Sequence, residues 1–155
     1  MANGVPSDFG FPIVAHPHDS EVAYIVPLEG DTFRAVPEGK LRVFRTRNGG
    51  KSWEALSKGL PQEDAYETVL RDALAVDTLD PAGVYLGTRS GRLYGSADGG
   101  KTWTQLAEGL PPIVCVKTAV VGRAKKKVAP RKATAKKSPR IAKTATKRAR
   151  GTKKR

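Results

Sequence analysis

Apolar residues fall in short runs along the chain, each three to six residues long and rich in Val, Ile, Leu, Tyr, Phe and Trp. Such runs, bounded by Gly-Gly, Asp-Pro and Leu-Pro, read as β-strands. Four are predicted near residues 11–15, 22–27, 41–46 and 52–56, and four more near 68–76, 83–88, 91–96 and 102–106. A ninth is predicted over 112–121, as the first strand of a third unit.

The runs repeat. Residues 42–61 (RVFRTRNGGKSWEALSKGLP) align without a gap on residues 92–111 (RLYGSADGGKTWTQLAEGLP), and nine of the twenty positions are identical. Upstream, Val22-Ala23-Tyr24-Ile25 parallels Gly83-Val84-Tyr85-Leu86. The first pairing has an offset of 50 and the second of 61, so the first copy carries an insertion within residues 28–40. Gly30, Asp31, Pro37 and Gly39 mark that insertion as loop. Antiparallel four-strand units repeating every ~40–50 residues are the pattern of propeller blades. The fold expected is all-β, a partial β-propeller of about two four-stranded blades plus one extra strand. Blade one covers 10–61, blade two 66–111 and the extra strand 112–121, within a domain of 10–122.

At the centre of each copy lies an octet: Thr46-Arg47-Asn48-Gly49-Gly50-Lys51-Ser52-Trp53 and Ser96-Ala97-Asp98-Gly99-Gly100-Lys101-Thr102-Trp103. Asp98 or Asn48 is placed to accept N–H bonds across a hairpin. Gly49 and Gly99 supply positive φ, and the hydroxyl of Thr46 or Ser96 closes the turn from the other side. Ser52 and Thr102 complete the pattern, and Trp53 and Trp103 are expected to bury large apolar areas between sheets. The octet resembles the Asp box, Ser/Thr-x-Asp-x-Gly-x-Thr/Ser-Trp, with Asn replacing Asp in the first copy. The stretch from Gly10 to Val121 resembles the C-terminal portion of bacterial BNR-repeat proteins of the glycosyl hydrolase or exo-α-sialidase-like type. That resemblance implies a propeller fold and, more weakly, glycosidase ancestry. A full propeller needs about 300–400 residues at this period, so two blades imply a fragment or a unit that closes by self-association.

Charge divides the chain. Residues 1–122 carry 12 Lys/Arg against 15 Asp/Glu, whereas residues 123–155 carry 16 Lys/Arg and no acid. The overall +13 therefore belongs to the C-terminal segment. That segment has no aromatic residue, and its Lys/Arg/Ala/Thr/Pro composition predicts a disordered tail. Lys125, Lys126, Lys127, Arg131, Lys132, Lys136, Lys137, Arg140, Lys147, Arg148 and Arg150 are the candidate nucleic-acid contacts. Counterion release gives such a segment affinity for polyanions, and without aromatics it has no platform for base stacking. A merely solubilising tail is the simpler alternative.

The lone cysteine, Cys115, has apolar neighbours and is expected to be buried. With no signal-like N-terminus and no apolar run of membrane length, a cytoplasmic protein without membrane association is expected. No cofactor or metal is implied: His16-Pro17-His18-Asp19 reads as a turn, and no third histidine exists. Gly87-Thr88-Arg89-Ser90-Gly91 joins two strands and opens no helix, so it is no phosphate loop.

The family resemblance implies a sialidase-type site with a tyrosine nucleophile, a carboxylate partner and an arginine cluster. Tyr66, Glu67, Arg71 and Asp72 are the residues of this chain that offer those groups. A solvated loop with a local ion pair is the simpler reading of them. Three functions follow: a noncatalytic binding scaffold, with carbohydrate as one ligand class; a nonspecific nucleic-acid-associated protein acting through its tail; and a glycosidase completed by oligomerisation. The first is favoured.

Overall fold

The computed structural model describes residues 3–122. The tail, and the eleven candidate nucleic-acid contacts on it, lie outside the described residues. The described residues belong to one compact unit.

That unit is all-β apart from one 3₁₀ turn, Pro37–Gly39. Eight strands form two antiparallel four-stranded sheets, each in simple sequential order. The first contains β1 (Ile13–His16), β2 (Asp19–Ile25), β3 (Val43–Thr46) and β4 (Glu54–Leu56). The second contains β5 (Leu74–Val76), β6 (Val84–Gly87), β7 (Leu93–Ser96) and β8 (Thr104–Ala107).

The two sheets share one register. Ile13 faces Ile25 as Leu74 faces Leu86, both members displaced by 61. Ala23 opposes Thr46 as Val84 opposes Ser96, and Ile25 opposes Phe44 as Leu86 opposes Tyr94. Arg45 pairs with Glu54 where Gly95 pairs with Thr104. A slip of one residue would turn every apolar side chain to the other face, so a common register means a common buried face. The copies part at one point, where an irregularity between Leu93 and Tyr94 sets Leu93 against Ala107.

The sheets lie side by side, with β1 and β5 in contact. One apolar cluster spans them, including Tyr24, Val43 and Leu56 of the first and Leu74, Val84, Leu86 and Tyr94 of the second, with Trp103. A short strand pair cannot bury both its faces alone; stacking a second sheet on it removes the inner faces from water. The 28–40 insertion is loop, with Leu28 and Val36 buried in the same cluster.

Three expectations change here. Residues 112–121 form no strand: Ile113 and Val116 donate to the Thr88 and Asp72 carbonyls, and the one ladder contact is an isolated parallel bridge from Asp72 to Cys115. With a partner on one side only, the segment runs extended beside β5 without continuous pairing. Cys115 is consequently exposed, not buried. The domain also begins before residue 10: Phe9 bridges Leu28, and Asn3 bridges Ser52.

Candidate functional site

The two octets form the β3–β4 and β7–β8 hairpins. Asp98 Oδ1 accepts from the Ser96 hydroxyl at 2.7 Å and the Thr102 N–H at 2.9 Å, and Oδ2 accepts from the Thr102 hydroxyl at 2.6 Å. The Ser96 Oγ in turn accepts from the Gly100 N–H at 2.8 Å. Asn48 reproduces this network with one bond reversed. Its Oδ1 accepts from Thr46 and from the Ser52 N–H, while its Nδ2 donates to the Ser52 hydroxyl at 2.8 Å. A hydroxyl serves as donor or acceptor, which is why amide and carboxylate fill equivalent places. The Asn48, Asp98, Thr46, Ser96, Ser52 and Thr102 side chains are thus engaged within their own turns.

The ionisation of Asp98 follows. Partial burial pushes its carboxyl up, but bonds from the Thr102 hydroxyl and N–H, from Ser96 and from the Lys101 N–H outweigh that and hold it at about 2, below the ordinary 3.8. A depressed folded-state value contributes stability above the unfolded value and loses it as pH falls through the folded one. Asp98→Asn is therefore expected to cost about 1 kcal/mol near neutrality. The difference from wild type should close between roughly pH 4 and pH 2. Urea titrations across that range test this, and an unchanging difference would contradict it.

The tryptophans differ. Trp103 is 5% exposed and belongs to the shared cluster, whereas Trp53 is half-buried. The turn of the second hairpin rests on the first sheet: the Gly99 carbonyl accepts from Arg45 Nη1 at 2.8 Å and from the Tyr24 hydroxyl at 3.3 Å. Arg45 is itself buried and anchored by Glu54 at 2.7 Å. That bond is the main cause holding the Glu54 carboxyl below its usual range.

At the other end of the strands, three loops gather: 28–40, 57–73 and 88–92. Glu67 is buried there and ties them together. Its carboxylate accepts from the Ser90 hydroxyl at 2.7 Å and from Arg92 Nη1 at 3.0 Å, and its backbone carbonyl accepts from the Val36 N–H. Thr88 lies 2.9 Å behind Ser90, so the hydroxyl chain ends on the carboxylate. A buried charge needs such pairing to be tolerated at all.

Tyr66 turns the other way. It is 62% exposed, its ring against Gly39 and 6.4 Å from that of Phe33, which is also exposed. The two rings border a cleft of about 360 Å³ that also takes in Asp31, Arg34, Thr68 and Arg89. Arg71 is exposed. Asp72 faces Lys117 at 3.7 Å, and its carbonyl is held by Val116. Of the four residues offered for a sialidase-type site, only Tyr66 lines this cleft. Phe33 and Arg34 are not marked in the sequence, where the insertion that carries them reads as loop, and Arg89 stands out there only within the Gly87–Gly91 segment that is no phosphate loop.

His16 ends β1 and His18 sits in the β1–β2 turn, with His18 Nε2 3.0 Å from the Thr78 carbonyl. No group of three metal-ligating side chains occurs among the described residues. No helix among the described residues is long and apolar enough to cross a membrane. No protein-family model matches the chain, and no characterised protein matches it significantly.

Proposed function

We propose that the chain is a noncatalytic binding scaffold made of two consecutive propeller blades of the Asp-box type, sialidase-like by descent, with a carbohydrate-binding face on the three gathered loops. The common register, the equivalent hairpin networks and the contact of β1 with β5 support the blade reading. One observation carries the noncatalytic part. The Glu67 carboxylate is turned inward onto Ser90 and Arg92, while Tyr66 is turned out beside Phe33. A phenol needs a base within hydrogen-bond reach to act as nucleophile, and the neighbouring carboxylate is committed elsewhere. Two exposed rings flanked by arginine and aspartate instead suit a ligand with an apolar face and hydroxyl edges, which is the chemistry of a sugar ring.

Purified protein is expected to hydrolyse neither a sialoside nor an aryl glycoside. Binding of an oligosaccharide, followed by calorimetry, should fall about tenfold or more in Tyr66→Ala and stay unchanged in Asp72→Asn. Hydrolysis abolished by Tyr66→Phe or Asp72→Asn would overturn the reading.

A second reading rests on composition: 16 cations and no acid in residues 123–155 favour polyanion association through the tail. It is compatible with a noncatalytic scaffold, which the tail would tether to nucleic acid.

A further inference from the structure

Inside the chain, the second sheet is seated on the first by a recurring clip. The Trp103 N–H donates to the Lys58 carbonyl at 2.9 Å, and Gly59 passes so close that a side chain on it would collide with the Trp103 carbonyl. The same clip closes on the first sheet. The Trp53 N–H donates to the Asn3 carbonyl at 2.9 Å, and a side chain on Gly4 would collide with the Trp53 carbonyl. Both glycines have positive φ, 92° and 94°. The segments match in sequence as well: Gly4-Val5-Pro6, Gly59-Leu60-Pro61 and, once more, Gly109-Leu110-Pro111.

The third clip has nothing to hold. Gly109 has φ 70° and open space around it, and Leu110 is exposed where Leu60 is buried. Among the described residues, the face beside it is covered along one side only, by the chain's own segment 116–122. On the first sheet, Tyr24 and Leu56 receive the Gly99–Gly100 turn. Their counterparts on the second sheet, Tyr85 and Leu106, line one wall of a groove of about 580 Å³ together with Leu79 and Leu93, and the segment 116–122 forms the other wall. Leu106 is 54% exposed. On the first sheet, the Gly49–Gly50 turn is close to Glu21 and Trp53 of its own sheet, and no contact of these two glycines with the second sheet is found among the described residues.

We propose that a second copy of this chain docks head-to-tail. Its Gly49–Gly50 turn enters the Tyr85/Leu106 groove, and Glu108–Gly109 takes the place of that copy's own Asn3–Gly4 on Trp53. The proposal rests on the two sheets being copies of one unit, and the contact between them is its template. The contact is heterologous, so it builds a ring or an open chain according to whether the rotation closes. Asn3–Gly4 then acts as a removable clip that limits association, because a docking copy must first displace it.

The test is sedimentation of the full-length protein over a concentration series at high salt, with circular dichroism to verify folding. Gly4→Val, which expels the clip, is expected to lower the association midpoint by up to about tenfold, the worth of one lost hydrogen bond. Leu106→Glu, at an exposed position, should abolish association. Gly50→Asn, which keeps a residue tolerant of positive φ, should abolish it from the other side. Mixing the last two must then give a one-to-one dimer, since each retains the face the other lacks. A monomer for both wild type and Gly4→Val, or association that survives Leu106→Glu, overturns the proposal. So does a mixture that remains monomeric. The blade reading fails separately, through loss of the contact between the two sheets within one chain.

Discussion

Trp103→Ala is expected to destabilise the protein by about 3–5 kcal/mol, enough to leave a small all-β unit largely unfolded at ambient temperature. The indole is 5% exposed and belongs to the apolar cluster shared by the two sheets. Trp53→Ala should cost about half as much or less, because Trp53 is half-buried and its hairpin carries no further sheet. Trp103→Phe is a sharper control. Both indole Nε1 atoms are buried without a partner, so phenylalanine removes an unsatisfied donor while keeping most of the apolar volume. Its cost should stay near 1–2 kcal/mol. Urea unfolding of the three variants gives the comparison. Equal costs for the two alanine variants would mean that the hairpins occupy equivalent surroundings, contrary to this fold.

The second large effect concerns the tail. Removing residues 123–155 leaves 12 cations against 15 acids, so the change reverses the sign of the protein. Affinity for duplex DNA should fall by at least about a hundredfold at low salt. For the full chain, if about ten of the 16 cations engage phosphate, log K should fall with log salt at a slope of about −9. Sequence should matter little, since no aromatic residue is available to stack on bases. Equal affinity for both proteins, or a flat salt dependence, would end the polyanion reading.

Much of the fold could be read from the sequence because its main signals are periodic and side-chain based. The offsets of 50 and 61 separate hairpin pairing from strand pairing, and the structure uses the same two offsets in its registers. Strand ends were less legible. The run 68–76 yields only Leu74–Val76 as strand, since Val69 and Ala73 are buried in loop backbone that pairs irregularly. The apolar segment around Cys115 suggested burial, but it has a neighbour on one side only and is exposed.

Three features left almost no trace in the sequence. Gly4-Val5-Pro6 is too short to stand out, and its spacing of 55 from Gly59 fits neither repeat offset. Its signal lies in backbone angle and close approach, which glycine alone permits but does not announce. Arg45 is another. Its counterpart in the second copy is Gly95, so the repeat itself does not mark it. In the fold it is one of the polar links between the sheets, reaching the Gly99 carbonyl. The Glu67 pairing was likewise invisible, because Ser90 and Arg92 lie more than twenty residues away and meet it only through loop packing.

The account stands on the second hairpin resting against the first sheet. Nuclear Overhauser contacts from the Gly100 α-protons to the Tyr24 ring and a Leu56 methyl measure that directly, since Gly100 faces both groups. We expect those contacts in the dilute protein, retained in Leu106→Glu. Their absence in a sample whose eight strands are intact would show that the two sheets are independent, and would contradict the account.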